Sequence, residues 1–595
     1  MNKADFKVKQ FFVVLPVLLV ILIIPLSTSY KQVISNYKRS DVFTNITTYL
    51  DFFGWWKSVT LLVLSGFIFL LNFLFVKKGQ KLPLIIYINL AIYMIFMLLS
   101  AYFSEYREIT WVGAPNYFEG VPILLCYLNL FYYSAKHLTL ESVKYIILAL
   151  GVSVFIMSII GIPQYFGYYI YQESPIKEFF TANLKIYNIK FHWSDKGFIS
   201  TTLFNPNMLG CYCALLTPIF INSFLNSSKK WVTVLLFLFC LCSFICLNGS
   251  VSRSAVLGTI MATFIIFAYN FKRILQKYLR ITVLAVSYLI AMFIFGETMN
   301  AHLKNMFDFL IIPEKNIEKL QVATEQPKKI RKAKVLETIN KDLIYDAEDL
   351  YFKFTTSDPK LGIQVFDRQG SLVQFTQINQ NTFKPNDPRY SDISIGIGKI
   401  PHGSYLVFQE FNKNVFNFVL TPIGFKFFIW NGFFDSQPAP KVDLIAELAF
   451  SKRGYMWNRT LPMLGDCLLL GKGPQTFSFY FPQKDFLGKY NVGFTMDTIV
   501  DRPHCWYFLT AHDSGIVSLV ALLIIFAYVL LNSFFSLSKN FSSISKIHIY
   551  LIGFSASVVS YLVTLVFNDS YIGLAPLFWI VLGVNLMLVQ SYKLR

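Results

Sequence analysis

Apolar runs of about 17–22 residues recur along the first half of the chain and again at its end, long enough to cross the hydrocarbon core of a bilayer as helices. They fall at about 11–27, 58–76, 82–103, 119–134, 143–161, 207–225, 231–249, 254–270, 279–296, 508–535, 547–567 and 572–590. The pattern predicts about twelve transmembrane helices. The run at 119–134 is the shortest and carries Pro122. The first run follows MNKADFKVKQ, as the core of a signal peptide would. No A-x-A-like cleavage site comes after it and further spans do, so it is expected to remain as the first helix.

Between the ninth and tenth runs the pattern changes. Residues 297–349 are charged and are predicted to be helical in part, with KKIRKAKVLETINKDL as the clearest run. From Leu350 onward come short, partly alternating pieces rich in aromatic and β-branched residues: LYFKFTT, SLVQFTQI, SYLVFQEF, FNFVLTP and FKFFIWN. Turn residues such as Gly370 separate them. They predict a sandwich-like β-rich insert at 350–448, with Pro438-Ala439-Pro440 at its exit. Its aromatics are expected to fill the sandwich core rather than a sugar-binding face. The expected order is therefore helices one to nine at 1–296, the charged segment at 297–349, the β insert at 350–448, a polar loop at 449–507 and helices ten to twelve at 508–595.

Composition agrees with a membrane protein. Of 595 residues, 55% are hydrophobic, and the mean hydropathy is +0.50. The formal charge of +19 could point to nucleic acid. The cations instead cluster in alternate loops, as at Lys77, Lys78 and Lys81, at Lys229 and Lys230, and at Lys272, Arg273, Lys277 and Arg280. By the positive-inside rule both termini are cytoplasmic and 297–505 is extracytoplasmic. No nucleic-acid partner is expected. Cys126, Cys211, Cys213, Cys240, Cys242 and Cys246 lie inside apolar runs, and no CxxC or zinc spacing occurs, so they read as packing residues. Cys467 and Cys505 share the outer side, which leaves a disulfide open.

Candidate chemistry gathers in four clusters where spans meet the outside. In GFISTTLFNPNMLGCY, Asn205-Pro206-Asn207 opens a helix; Asn207 could cap it, and the amides could face an anion. In NGSVSRSAVLG, Arg253 sits at the end of two spans, where it is a structural counter-ion or a phosphate ligand. In the loop, Arg453 and Trp457 are one helical turn apart and share a face. Gly471-Lys472-Gly473 lacks the spacing of a P-loop, so no nucleotide is inferred. In DRPHCWYFLTAHDSG, Arg502, His504 and Tyr507 precede a helix that carries Asp513. His504 is the candidate general base. HExxH, GxSxG and DxD motifs are absent, which weighs against protease, lipase and metal-dependent nucleotide-sugar transferase readings.

Together these clusters resemble the O-antigen ligase/polymerase superfamily of bacterial polytopic membrane proteins. The resemblance runs through Asn205-Pro206-Asn207 with Leu209-Gly210, Ser252-Arg253-Ser254-Ala255 with Leu257-Gly258, and Arg453 with Trp457, Gly471, Gly473, Pro474 and Phe477. It continues in Pro503-His504 with Tyr507, Asp513 and Gly515, and more weakly in Trp111, Gly113, Glu119-Gly120, Asn568-Asp569, Pro576 and Trp579. It covers about 80–590 outside the β insert. The resemblance implies a GT-C-like fold in the bacterial cytoplasmic membrane and a glycosyltransferase that uses neither metal nor cofactor. The donor would be a glycan on a polyprenyl (undecaprenyl) diphosphate, and the acceptor a glycan, lipid or protein. It assigns diphosphate binding to Arg253 and Arg453, to which Arg502 is added here, and catalysis to His504, with Asp513 beside it. Asn205, Asn207, Trp457 and Tyr507 would support the substrate site. The chain departs from the family pattern at Cys505, where Asn or Ser is usual, and at His512-Asp513, where Ala-Glu is common. A polysaccharide or lipid-linked sugar transporter is the alternative of a different class, although the ionisable residues crowd the outer edge rather than mid-membrane. A sensor reading lacks a cytoplasmic signalling domain.

Overall fold

Each of the twelve apolar runs carries helix in the computed structural model. The structure describes residues 3–34, 48–74, 79–170, 196–295, 331–339, 341–348, 350–356, 363–400, 403–410, 413–429, 432–539 and 545–593. Among these residues, nine helices are long and apolar enough to cross a membrane. They are Trp55–Leu74, Leu84–Phe103, Val143–Tyr165, Pro206–Asn226, Lys230–Gly249, Arg253–Phe271, Ile516–Ser538, Lys546–Thr564 and Ala575–Lys593. Phe11–Ile23 and Tyr278–Ile294 are shorter apolar helices, and Val121–His137 begins with Pro122 in its first turn. The architecture is that of a mostly helical chain compatible with a multi-pass membrane protein.

The predicted single helix at 508–535 is two. Trp506–Ser514 ends at Gly515, whose φ is 94°, and Ile516–Lys539 starts afresh. A β-carbon at Gly515 would run into the carbonyl oxygen of Leu469. Thr510, His512, Asp513, Ser514 and Gly515 interrupt the apolar run here, a mark of the break that the single-helix expectation passed over.

The bundle has a centre and a rim. Of the apolar window of Pro206–Asn226, 94% is buried, followed by Ala575–Lys593 at 83% and Lys546–Thr564 at 72%, whereas Trp55–Leu74 and Leu84–Phe103 bury only 33%. Helices in lipid gain little from apolar contact alone, so close approach and polar ties hold them. Gly258 lies against the backbone of Ser560, and a β-carbon at Gly583 would sit 2.7 Å from the carbonyl oxygen of Phe131. The Asn270 side chain donates to Asn222 Oδ1 at 3.1 Å, and the Ser557 hydroxyl donates to the carbonyl of Leu215.

The β-rich region occupies 333–434, so it starts earlier than predicted. The tail of the segment read as partly helical is a hairpin, Ala333–Ile339 with Asp342–Ala347. A register shift between Ala333 and Val335 interrupts the pairing at its start, while Asp342–Ala347 alternates strictly in burial. The predicted helical stretch at 297–330 lies outside the described residues. The hairpin continues through Leu350–Thr355 to Gln364–Phe366 as a four-stranded antiparallel sheet. Seven further strands form an antiparallel meander from Phe375–Asn379 to Gly432–Phe434.

Both sheets feed one aromatic core. Phe354 meets Phe418 at 4.9 Å between ring centres, and Tyr345 meets Phe408 at 5.1 Å. The same core takes in Phe486, Tyr490 and Met496 from the loop at 449–507. The Tyr490 and Tyr345 hydroxyls are 2.6 Å apart, and the Asn491 side chain pairs with both backbone groups of Ala333 at 2.8 and 3.0 Å. The β unit is therefore fastened to the loop that carries the candidate chemistry.

Truncating a fully buried core phenylalanine costs about 3–5 kcal/mol. Phe418→Ala should therefore strip hydrogen-exchange protection from the strands of 333–434 in the full-length protein while the bundle helices keep theirs. Ile378→Ala, at an exposed position of the same sheet, should leave both unchanged.

Candidate active site at the edge of the bundle

The site is assembled from segments next to membrane-length helices and from the loop at 449–507. The loop contributes the helix Ala449–Met463, which is not regular at its start. Phe450, Ser451 and Lys452 all have positive φ, at 52°, 59° and 69°. Such left-handed residues cost about 1–2 kcal/mol each, and surrounding contacts hold them. The Tyr455 N–H donates to the Glu447 carbonyl at 2.9 Å, and Lys452 Nζ donates to the Gly493 carbonyl at 2.8 Å. Arg453 leaves this turn with one guanidinium nitrogen donating to the Phe450 carbonyl at 3.0 Å, while its buried Nε has no partner among the described residues. Burial holds the Arg453 guanidinium below its ordinary pKa. Repulsion from Arg253 adds to this, and attraction to Asp569 and Cys211 opposes it. Arg253 itself is exposed at the start of its helix. Two neighbouring cations, one of them desolvated with an unspent donor, make a place that favours an anion.

Trp457 does share a face with Arg453, and it points into the next segment. Its Nε1–H donates to the Pro503 carbonyl at 2.9 Å. On the other side of His504, the Trp506 N–H is shared by the carbonyls of Leu565 and Asn568, both at 3.0 Å. Held from both sides, His504 adopts a φ of +49°. Strain of this kind in a bulky residue persists only where the surroundings impose it.

The imidazole Nδ1 lies 2.9 Å from Asp569 Oδ2, with the His504 side chain 37% exposed and that of Asp569 fully buried. A buried carboxylate on Nδ1 keeps a proton there and leaves the Nε2 lone pair for a substrate. The second oxygen of Asp569 has no hydrogen-bond partner among the described residues. Asn568 anchors the same turn to the Arg253 helix, donating to Ser254 Oγ at 2.7 Å.

Other predicted site residues fall elsewhere. Asn205, not Asn207, is the helix cap: Asn205 Oδ1 accepts the Asn207 N–H at 2.8 Å, and Pro206 takes the first helical position. Gly210 of this helix packs against Ser250 and Ser252, beside Arg253. Tyr507 ties its hydroxyl to the Leu562 carbonyl at 2.8 Å. Cys467 and Cys505 are free, like every other cysteine. Burial pushes the Cys505 thiol up to about 12, so it packs rather than reacts.

Arg502 is the largest change from expectation. It is buried rather than open to a diphosphate. Its guanidinium lies 3.7 Å from Glu119 Oε2, donates to the Ser570 carbonyl at 3.1 Å and to the Gln475 side chain, and stacks 3.3 Å over the Tyr117 ring. Glu119 also accepts from Ser570 Oγ at 2.6 Å, and burial raises its pKa despite the opposing Arg502. Asp513, expected beside the base, is a strut. Its Oδ2 accepts the Gln475 N–H at 2.9 Å, and its Oδ1 lies 3.0 Å from His512 Nδ1. Sequence reasoning gave Asp569, Glu119 and Gln475 no role. The legible signal for Asp569 was a carboxylate in a very short turn between the last two apolar runs.

No protein-family model matches the chain, and no curated protein and no solved structure is detectably similar to it.

A buried charge that loses its partner destabilises by about 3–5 kcal/mol. Arg502→Met should accordingly lower the thermal midpoint of the purified protein in detergent, and Glu119→Gln added to it should restore most of the loss. A substrate-binding arginine would instead change affinity and leave the midpoint in place.

Proposed function

We propose that this chain is a membrane glycosyltransferase of the O-antigen ligase/polymerase kind, GT-C-like, with twelve crossings of a bacterial cytoplasmic membrane. In this reading both termini are cytoplasmic, and the loop and β unit face outward. The observation that carries the proposal is the His504–Asp569 pair beside Arg453 and Arg253. A base oriented by a buried carboxylate, next to two cations with capacity for an anion, suits transfer from a diphosphate-linked donor.

In the proposed step an acceptor hydroxyl approaches His504 Nε2. The hydroxyl oxygen forms a bond to the anomeric carbon while the bond from that carbon to the diphosphate oxygen breaks. The proton passes to Nε2 and from there to water. The lipid diphosphate departs with the electron pair, its charge held by Arg453 and Arg253. Arg502 and Asp513 act by holding the loops in place rather than by touching substrate.

The test is transfer by the purified protein from a polyprenyl-diphosphate oligosaccharide, with EDTA present and products resolved by size. Release of polyprenyl diphosphate with longer glycan identifies a polymerase; release only with a second acceptor identifies a ligase. Arg453→Ala and His504→Ala should abolish transfer while insertion and the thermal midpoint persist. Asp569→Asn should lower it by about 10²–10⁴-fold. Movement of the lipid-linked sugar across liposomes without release would establish a transporter instead.

A further inference from the structure

The loop at 449–507 holds an apolar feature that the site does not use. Leu468 and Leu469 are 61% and 64% exposed, at the start of a non-helical turn. That turn does not project away from the bundle. The Gly471 N–H donates to Ser100 Oγ at 2.8 Å, and Ser104 Oγ donates to the Lys472 carbonyl at 2.6 Å. Ser100 belongs to Leu84–Phe103, a rim helix long enough to cross a membrane. It lies three residues before the helix end, or about 4.5 Å along the axis. Tyr102 and Phe103 of this helix are exposed, as are Trp111 and Val112 of the short helix Arg107–Val112 that follows. A β-carbon at Gly473 would meet Thr110 at 2.5 Å and Ser104 at 2.7 Å, so the turn lies directly against this segment.

Irregular backbone is tolerated at membrane depth only where protein satisfies its polar groups. The turn meets that condition from Gly471 onward. The Lys472 N–H donates to the His512 carbonyl at 2.8 Å, the Gly473 N–H to the Asp513 carbonyl at 3.0 Å, and the Gln475 N–H to Asp513 Oδ2 at 2.9 Å; Pro474 has no N–H. Lys472 directs its ammonium over the Tyr480 ring at 5.5 Å and toward Asp466 at 3.9 Å, the arrangement of a cation reaching out of an apolar layer. The break at Gly515 makes room for the turn, since Leu469 and Gly471 occupy the space a side chain there would need.

We infer that 468–473 is a re-entrant edge of the large loop, with Leu468 and Leu469 seated among the lipid acyl chains of the leaflet on the site's side. The occupant of this apolar patch is the bilayer itself, because the patch continues the exposed face of a membrane-length helix at that helix's own depth. Through Gln475 the same turn supports Arg502, so the bilayer surface sets the height of the loop that carries His504. This inference stands apart from the proposed chemistry.

All native cysteines are buried, so an introduced one can be labelled selectively. Leu469→Cys and, separately, Leu468→Cys would be labelled with an environment-sensitive nitrobenzoxadiazole dye on the full-length protein in phosphatidylcholine liposomes. Ile378→Cys, exposed on the β unit, serves as the aqueous reference. The expected result at both leucine positions is blue-shifted emission. A phospholipid with a nitroxide near the headgroup end of its acyl chain should quench it severalfold more than at 378, and iodide severalfold less. Emission and iodide quenching equal to those at 378, without nitroxide quenching, would overturn the inference.

Discussion

One buried arginine holds together the irregular segments beside the candidate site. Arg502 joins the segment ahead of Val121–His137 through Glu119, the 471–475 turn through Gln475, and the loop before Ala575–Lys593 through Ser570. These partners are far apart in sequence, and none of the segments is regular where they meet. A charge taken out of water must be matched closely or the fold gives way. The guanidinium, a planar fork of five donors, can meet separately placed acceptors while its face stacks on the Tyr117 ring. Its place is therefore structural, and its neighbour in the chain, His504, inherits a fixed position. The left-handed φ of His504 turns the two side chains toward different partners, the arginine to Glu119 and the imidazole to Asp569.

Strain and support are matched around the candidate site. Three consecutive left-handed residues precede Arg453, and one more is His504 itself. Trp457 connects the two places, since it packs against Phe450 at 5.6 Å and donates to the carbonyl just before His504. Aromatic packing by Phe567 and Phe508 encloses the same indole. Each local cost is thus offset by contacts that also fix where the cation and the imidazole stand relative to each other.

How much of this could be read in the chain follows from the range of each force. Lipid demands long apolar runs, so the helices were legible one by one. Alternation marked the strands from Leu350 onward, but the charged run around the first hairpin reads as helix, and the polar stretch 510–515 that marks the break at Gly515 reads only as part of a site. The shared face of Arg453 and Trp457 was legible because it is one helical turn. The His504–Asp569 pair spans 65 residues, and nothing local encodes it. Arg502 was misplaced because adjacency to His504 suggested a shared role, whereas the backbone conformation between them separates their surroundings.

The β unit makes sense as a support for this loop-built site. The helix Phe486–Asn491 has only six residues and is too short to persist alone. Phe486 and Tyr490 enter the aromatic core of the sheets, which makes the short helix an outlying part of that core. Its cap, Asp485, also pairs with Arg459, and Arg459 holds Glu447 at 2.9 Å. Arg459 lies on the same helix as Arg453 and Trp457. A continuous chain of buried contacts therefore runs from the sheets to the unspent donor of Arg453. A cation that must keep a desolvated position with one donor unspent needs a rigid mount, since a mobile one would swing out to water or collapse onto Asp569. The β-rich region, with its shared aromatic core, supplies that rigidity where the loop's own short helices could not.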